Sequence, residues 1–312
     1  MNETRGSIVD VTGIRVGHAQ DDRARTGCTV VLMPDVGAVC GVDVRGSAPG
    51  TRETDLLAPT AHVEVVHALV LTGGSAFGLD SACGVMQFLE ERGRGYRVGK
   101  WIVPIVPAAV IFDLFTGDGA IRPSRAMGYL AADSATSAPC AEGSVGVGSG
   151  ATAGKLAGPE LATRSGVGSA SRRFGDLVVG AIAVANSVGS VYDVRTGERL
   201  AGPRTADGTF LDELPLLEAF AKGTVPPPGA NTTLAVIATN AGMRKVDATK
   251  IAQMAHDGLA RAVVPAHLTR DGDTIFACAT GEVEAPLDIV GILAAEALAE
   301  AIARGVRAAS PT

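Results

Sequence analysis

The sequence predicts a layered α/β protein in which sheets and helices stack as separate layers, and three observations carry that prediction. Short β-branched runs cluster together and helix-patterned segments follow in pairs, so strands and helices do not alternate strictly. Hydrophobic residues make up 46% of the 312, enough for one large buried core. Glycine (40 residues) and alanine are abundant while aromatics are only 4%, which suits tightly packed layers and close backbone approaches.

The elements follow in chain order. Thr29–Met33 and Ala38–Val44, arranged around Asp35 and Gly37, read as a hairpin. Val65–Leu71 is an apolar run that ends at Gly73-Gly74-Ser75. Leu79, Ala82, Val85, Met86 and Leu89 are spaced as on a helix over 78–92, with Gly93 as its stop. Pro104 and Pro107 make 102–114 an irregular extended loop rather than a central strand. Residues 131–142 read as loop, and 143–158 as a Gly-rich segment around Lys155. Leu177–Ala185 has the length of a strand, closed by Asn186, and 211–222 reads as a helix with Pro215 in its first turn. The segment Gly223-Thr224-Val225-Pro226-Pro227-Pro228-Gly229-Ala230 can be neither helix nor central strand and reads as an exposed, semi-rigid linker. After it come a β run over 233–239, a helix from Asp247 as N-cap to Arg261, a strand over 274–279, and an amphipathic helix over 288–304 capped by Asp288. The last five residues are expected to fray.

Composition also narrows the partners and the compartment. A net charge of −6 with no basic patch disfavours nucleic acid. No uninterrupted apolar stretch reaches membrane-spanning length, and the start has no signal-peptide pattern. The five cysteines (Cys28, Cys40, Cys83, Cys140, Cys278) are scattered, and none has zinc spacing. A cytoplasmic protein with reduced thiols and no metal or other cofactor is expected.

The familiar catalytic templates fit poorly. Gly73-Gly74-Ser75-Ala76-Phe77 resembles a nucleophile elbow, but Phe77 stands where that turn needs glycine. Gly74 and Ser75 therefore read as a turn lining a pocket. Gly148-Ser149-Gly150-Ala151-Thr152-Ala153 lacks the acidic partner of a dinucleotide site, and Ser149 and Leu156 break a phosphate loop. His18, His62, His67, His256 and His267 form no metal motif, and none is credible as the base of a serine-type triad. A hydroxyl nucleophile without histidine can use its own α-amine, whose unperturbed pKa is about 7.7–8.0. That requires the chain to break before Ser, Thr or Cys. Asn231-Thr232, delivered by the proline linker to the start of a strand, offers such a place, although a simple polar strand start explains it as well.

Asn231-Thr232-Thr233-Leu234-Ala235-Val236-Ile237-Ala238-Thr239-Asn240 resembles the processing site of the DmpA-type aminopeptidases, a family that includes β-aminopeptidases and nylon-oligomer hydrolases. The likeness extends over nearly the whole chain, through residues 11–18, 46–55, 71–79, 103–114 and the segment around Lys155. It implies a four-layer αββα sandwich of the N-terminal-nucleophile-like, ornithine-acetyltransferase type, one domain over 1–312 cut into 1–231 and 232–312. It also implies that Thr232 is the nucleophile, and that Asp271 and Asp273 orient and polarise its amine and hydroxyl. Asn186 is to donate to the oxyanion, Lys155 to hold the cluster, and Phe112 to line the substrate pocket. Thr232 with Asp271-Gly272-Asp273 is similar to the nylon-oligomer (6-aminohexanoate-oligomer) hydrolase branch; the better-known branch uses Ser with Ser-Gly-Glu. Some members carry Tyr where this chain has Phe112. The expected activity is hydrolysis of linear amide bonds in small peptides or amino-acid oligomers, by a homo-oligomer (a tetramer of processed heterodimers). Acyl transfer of the ornithine-acetyltransferase type and a non-catalytic processed binding protein remain the alternatives.

Overall fold

The computed structural model describes residues 6–222 and 231–309. The principal strands in chain order are β1 (Arg15–Asp21), β2 (Thr26–Leu32), β3 (Ala38–Val44), β4 (Ala68–Thr72), β5 (Ala108–Val110), β6 (Val167–Phe174), β7 (Leu177–Asn186), β8 (Thr232–Ala241) and β9 (Thr274–Val283). The helices are α1 (Ser81–Glu90), α2 (Arg125–Asp133), α3 (Glu213–Ala221), α4 (Lys245–Ala262) and α5 (Leu287–Ala309). One five-stranded sheet runs β1-β2-β4-β5 and ends on the short strand Thr51–Arg52; a six-stranded sheet runs β6-β7-β8-β9-β3 and ends on Val65–Val66.

Period-two alternation decides how the layers stack. On β8, Ala235, Ile237 and Ala241 face α4 and α5, packing with Ile251, Leu259, Leu298 and Ile302. Leu234 and Val236 face the other way, where they join Ile182, Val184 and Phe276 against Val31, Leu69 and Leu71 of the five-stranded sheet. The outer face of that sheet is covered by Val85, Phe88 and Leu89 of α1 and by Ala131 and Ala132 of α2. The result is helices, sheet, sheet, helices: the αββα sandwich. Alanines such as Ala181, Ala183 and Ala235 let the long α4 and α5 lie close on the six-stranded sheet.

Several expectations need correction. Residues 29–44 are not a hairpin, because β2 and β3 belong to different sheets. The turn 33–37 instead carries the chain across the core, and the run 65–71 is split by the same crossing at His67. A backbone bond from Met33 N to the His67 carbonyl, 3.1 Å, ties the two crossings together. Short buried runs look alike whichever sheet receives them, so the pattern could not separate the two outcomes. Residues 108–110 form an interior strand despite Pro104 and Pro107, since both prolines fall before it. Residues 131–133 close α2. Asp247 is not the N-cap of α4; it lies inside the first turn, where its carboxylate accepts from Arg244 N at 3.1 Å. Asp288 likewise lies within the first turn of α5. The proline linker and residues 310–312 lie outside the described residues. No helix among the described residues is long and apolar enough to cross a membrane.

Phe276 is fully buried between the sheets. Its replacement by Ala is expected to lower unfolding free energy by about 3–5 kcal/mol, whereas Ala at exposed Leu130 should change it by less than about 0.5 kcal/mol; equilibrium denaturation of both variants checks the contrast.

Candidate active site

Three neighbouring strands bring their chemistry to one end of the six-stranded sheet. β7 and β8 are antiparallel, and their ladder pairs Asn186, the last residue of one, with Thr232, the first residue of the other. β8 and β9 are parallel, so the Asp271-Gly272-Asp273 turn before β9 arrives beside the residues that enter β8. Asn231 pairs directly with Asp271 in an isolated parallel bridge. By alternation, Asn186 and Thr232 share the inter-sheet face of Ile182, Val184, Leu234 and Val236.

The carbonyl of Asn231 is held from two sides. Gly272 N donates to it at 2.8 Å, and Thr232 Oγ1 donates to it at 2.5 Å. Gly272 has to be glycine here, since a Cβ would lie 2.8 Å from Thr232 Oγ1 and 2.9 Å from the Ala48 carbonyl. Ala48 N in turn donates to the Asp271 carbonyl at 2.9 Å, so the 46–50 loop clamps the acidic turn.

The two aspartates have separate tasks. Asp273 accepts from Thr233 N at 2.6 Å, and through its other oxygen from His267 N (3.1 Å) and His267 Nδ1 (2.8 Å). Asp271 accepts from Leu268 N at 2.7 Å, while its Oδ1 is buried without a partner among the described residues. Burial, reinforced by the like charge of Asp273, raises the Asp271 pKa to about 6.

Lys155 reaches the site from a tight turn. Its Nζ donates to the Asn186 carbonyl (2.8 Å) and to Asn186 Oδ1 (2.7 Å). Burial lowers its pKa to about 7, against the opposing pull of Asp271 and Asp113. Asn186 Oδ1 also accepts from Thr152 N at 3.2 Å, and its Nδ2 donates to the Phe112 carbonyl at 2.8 Å. One N–H of the amide is thus committed to Phe112 and the second has no partner among the described residues.

Gly74 and Ser75 follow β4 on a turn fastened by Asp113, whose carboxylate accepts from Gly74 N (2.6 Å) and Thr26 Oγ1 (2.7 Å). Ser75 has a left-handed backbone (φ +52°), and its N–H donates to the Ile111 carbonyl at 3.0 Å. No histidine or carboxylate among the described residues bonds its hydroxyl. Two residues that the sequence pattern did not single out, His267 and Asp113, bond into this cluster. His267 is six residues before Asp273 on an irregular turn, a spacing that no periodic pattern flags.

The model of Peptidase family S58 matches residues 6–312. The chain belongs to that family. It is accordingly a hydrolase of peptide or amide bonds. An uncharacterized aminopeptidase of Mycobacterium bovis is 45% identical, over 98% of this chain and 94% of that protein. A 6-aminohexanoate-oligomer endohydrolase of Agromyces sp. is 35% identical, over 89% of this chain and 76% of that protein. Among solved structures, a Burkholderia sp. beta-aminopeptidase superposes with a TM-score of 0.72 at 23% identity, covering 99% of this chain and 89% of that one. The L-aminopeptidase D-Ala-esterase/amidase of Ochrobactrum anthropi, described as a variant of the Ntn hydrolase fold, gives a TM-score of 0.73 at 18% identity with the same coverage. Both share the αββα fold of this S58 peptidase.

Asn186→Ala leaves the Lys155 Nζ with one acceptor fewer and strands Thr152 N and the Phe112 carbonyl. A loss of about 2–4 kcal/mol in unfolding free energy is expected by urea denaturation.

Proposed function

We propose that this S58 peptidase cuts its own chain between Asn231 and Thr232 and then hydrolyses linear amide bonds of small peptides or amino-acid oligomers with Thr232 as N-terminal nucleophile. The observation that carries the reading is the pair of donors on the Asn231 carbonyl. Gly272 N–H polarises the C=O of the bond to be cut, while the Thr232 hydroxyl lies against that same peptide group. A backbone donor of this kind is worth roughly 3 kcal/mol to a developing oxyanion in a dry site.

In maturation the Thr232 oxygen attacks the Asn231 carbonyl carbon, the C–N bond breaks, and the nitrogen takes up the hydroxyl proton. The resulting ester between Asn231 and Thr232 is hydrolysed by water, leaving the Asn231 carboxylate and a free Thr232 amine. In turnover the amine accepts the hydroxyl proton as the oxygen attacks a substrate carbonyl. The proton passes to the leaving amine, and water then cleaves the acyl ester. The unpartnered Asp271 Oδ1 is the acceptor suited to the new ammonium or amine. Asp273 acts at one remove, through Thr233 N. The second N–H of Asn186 is the side-chain donor left for the substrate oxyanion, and Lys155 holds that amide by its oxygen. Gly74, Ser75 and Phe112 line the substrate side. Assembly of the processed pieces into a homo-oligomer and a cytoplasmic location belong to the same reading. The aminopeptidase and endohydrolase relatives support hydrolysis over acyl transfer.

Denaturing mass spectrometry of purified protein is expected to show two pieces, the second starting at Thr232, and an intact Thr232→Ala chain. Equal cutting in both proteins contradicts the mechanism. Adding an amino-acid acceptor to a hydrolysis assay should leave free acid as the main product; a dominant transfer product points to an acyltransferase.

The first cut also has a predictable pH dependence. No α-amine exists before it, so its base is a group already in place, and Lys155 and Asp271 are the buried groups at hand. Asp271, raised to about 6, and Lys155, lowered to about 7, both lose their protons as pH rises through that interval. Precursor captured at pH 5 and shifted upward should be cut faster at each step to about pH 8. Faster cutting at pH 5 than at pH 8 contradicts this assignment.

A further inference from the structure

The Asp273 carboxylate is almost fully buried, and three donors converge on it. One oxygen takes Thr233 N–H at 2.6 Å; the other takes both the backbone N–H of His267 at 3.1 Å and its ring Nδ1 at 2.8 Å. The same oxygen already accepts the backbone N–H of His267, and we assign the ring proton to Nδ1 so that it donates there as well. His267 adopts φ +59°, a left-handed conformation unfavourable for a residue with a Cβ, and in it the N–H and the ring meet the same oxygen. The ring is wedged edge-on against His256, centroids 4.8 Å apart at 71°. Burial lowers the His256 pKa to about 4, and that ring contacts the Asp43 carbonyl at 3.2 Å, so His267 rests on a neutral, anchored neighbour.

We propose that His267 is a positioning residue for the reaction: with its ring N–H and backbone N–H it locks the Asp273 carboxylate onto Thr233 N, and through that peptide it sets where the Thr232 hydroxyl sits. The inference rests on Thr232 being the nucleophile. The chain of contacts is short, since Thr233 N belongs to the peptide that leaves Thr232. Freed from His267, the Asp273 carboxylate can rotate, the peptide after Thr232 loses its fixed acceptor, and the hydroxyl leaves its attack geometry. Misplacement of a reacting group by about 1 Å costs on the order of 100-fold in rate.

Two substitutions separate the ring donor from the backbone. His267→Gly keeps the left-handed backbone and removes the donor; His267→Asn tolerates the same φ and keeps an N–H near the Nδ1 position. Wild type and both variants are purified, their processing scored by mass, and kcat, KM and melting temperature measured on one peptide amide. The expected result is a slower first cut and a kcat at least about tenfold lower for His267→Gly, with KM within about twofold, and a kcat within about threefold of wild type for His267→Asn. A folded His267→Gly protein with wild-type kcat overturns the proposal. So does a His267→Asn protein that melts like wild type but has lost about tenfold in kcat, and this second arm decides the matter if the Gly variant fails to fold. A wild type that is itself uncut and inactive refutes the Thr232 mechanism instead, which keeps the two failures distinct.

Discussion

β8 lies between an antiparallel neighbour, β7, and a parallel one, β9, and the site follows from that mixture. An antiparallel partner brings its C-terminal end to the N-terminal end of β8; a parallel partner brings its own N-terminal end there. Asn186 is therefore placed opposite Thr232, and the Asp271-Gly272-Asp273 turn lies beside Asn231. Backbone ladders shared with the core set these positions, so the candidate site residues inherit the rigidity of the sheet. In a sheet with all three strands parallel, Asn186 would stand at the far end.

Burial then shapes the electrostatics. The same loss of water pushes Lys155 down and Asp271 up, each toward its neutral form, while their mutual attraction opposes both shifts. Neither group is spare. Lys155 is tied to both oxygens of Asn186, and among the described residues Asp271 keeps one oxygen without a partner. In so buried a place each aimed N–H counts for more, which is why the proposed mechanism leans on the Gly272 and Asn186 donors.

The layers were legible in the sequence because the long strands carry uninterrupted apolar runs and α4 and α5 keep helical spacing. The start of β8 at Asn231-Thr232 and the closing Asn186 were legible for the same reason, since each marks a sharp change from polar to apolar. The sheet to which a short run belongs was not legible: β2 and β3 are both buried and joined by a turn that suits a hairpin as well as a crossing between sheets. His267 was hidden more deeply. Its contact with Asp273 depends on a left-handed backbone and an irregular turn, neither of which has a periodic signature. The division of labour between Asp271 and Asp273 was likewise invisible, because i,i+2 spacing places two carboxylates near a strand entrance without saying which peptide each one holds.

In the proposed mechanism the hydroxyl of Thr232, freed as a chain terminus, takes up the acyl group of the substrate. Rapid acid quench during turnover of an activated ester or amide, followed by intact-mass and fragment analysis, tests it most directly. An acyl adduct is expected on the piece beginning at Thr232, mapped to that first residue and lost with time as product forms. An adduct on Ser75, the serine of the Gly73-Gly74-Ser75 turn with its left-handed backbone, contradicts it.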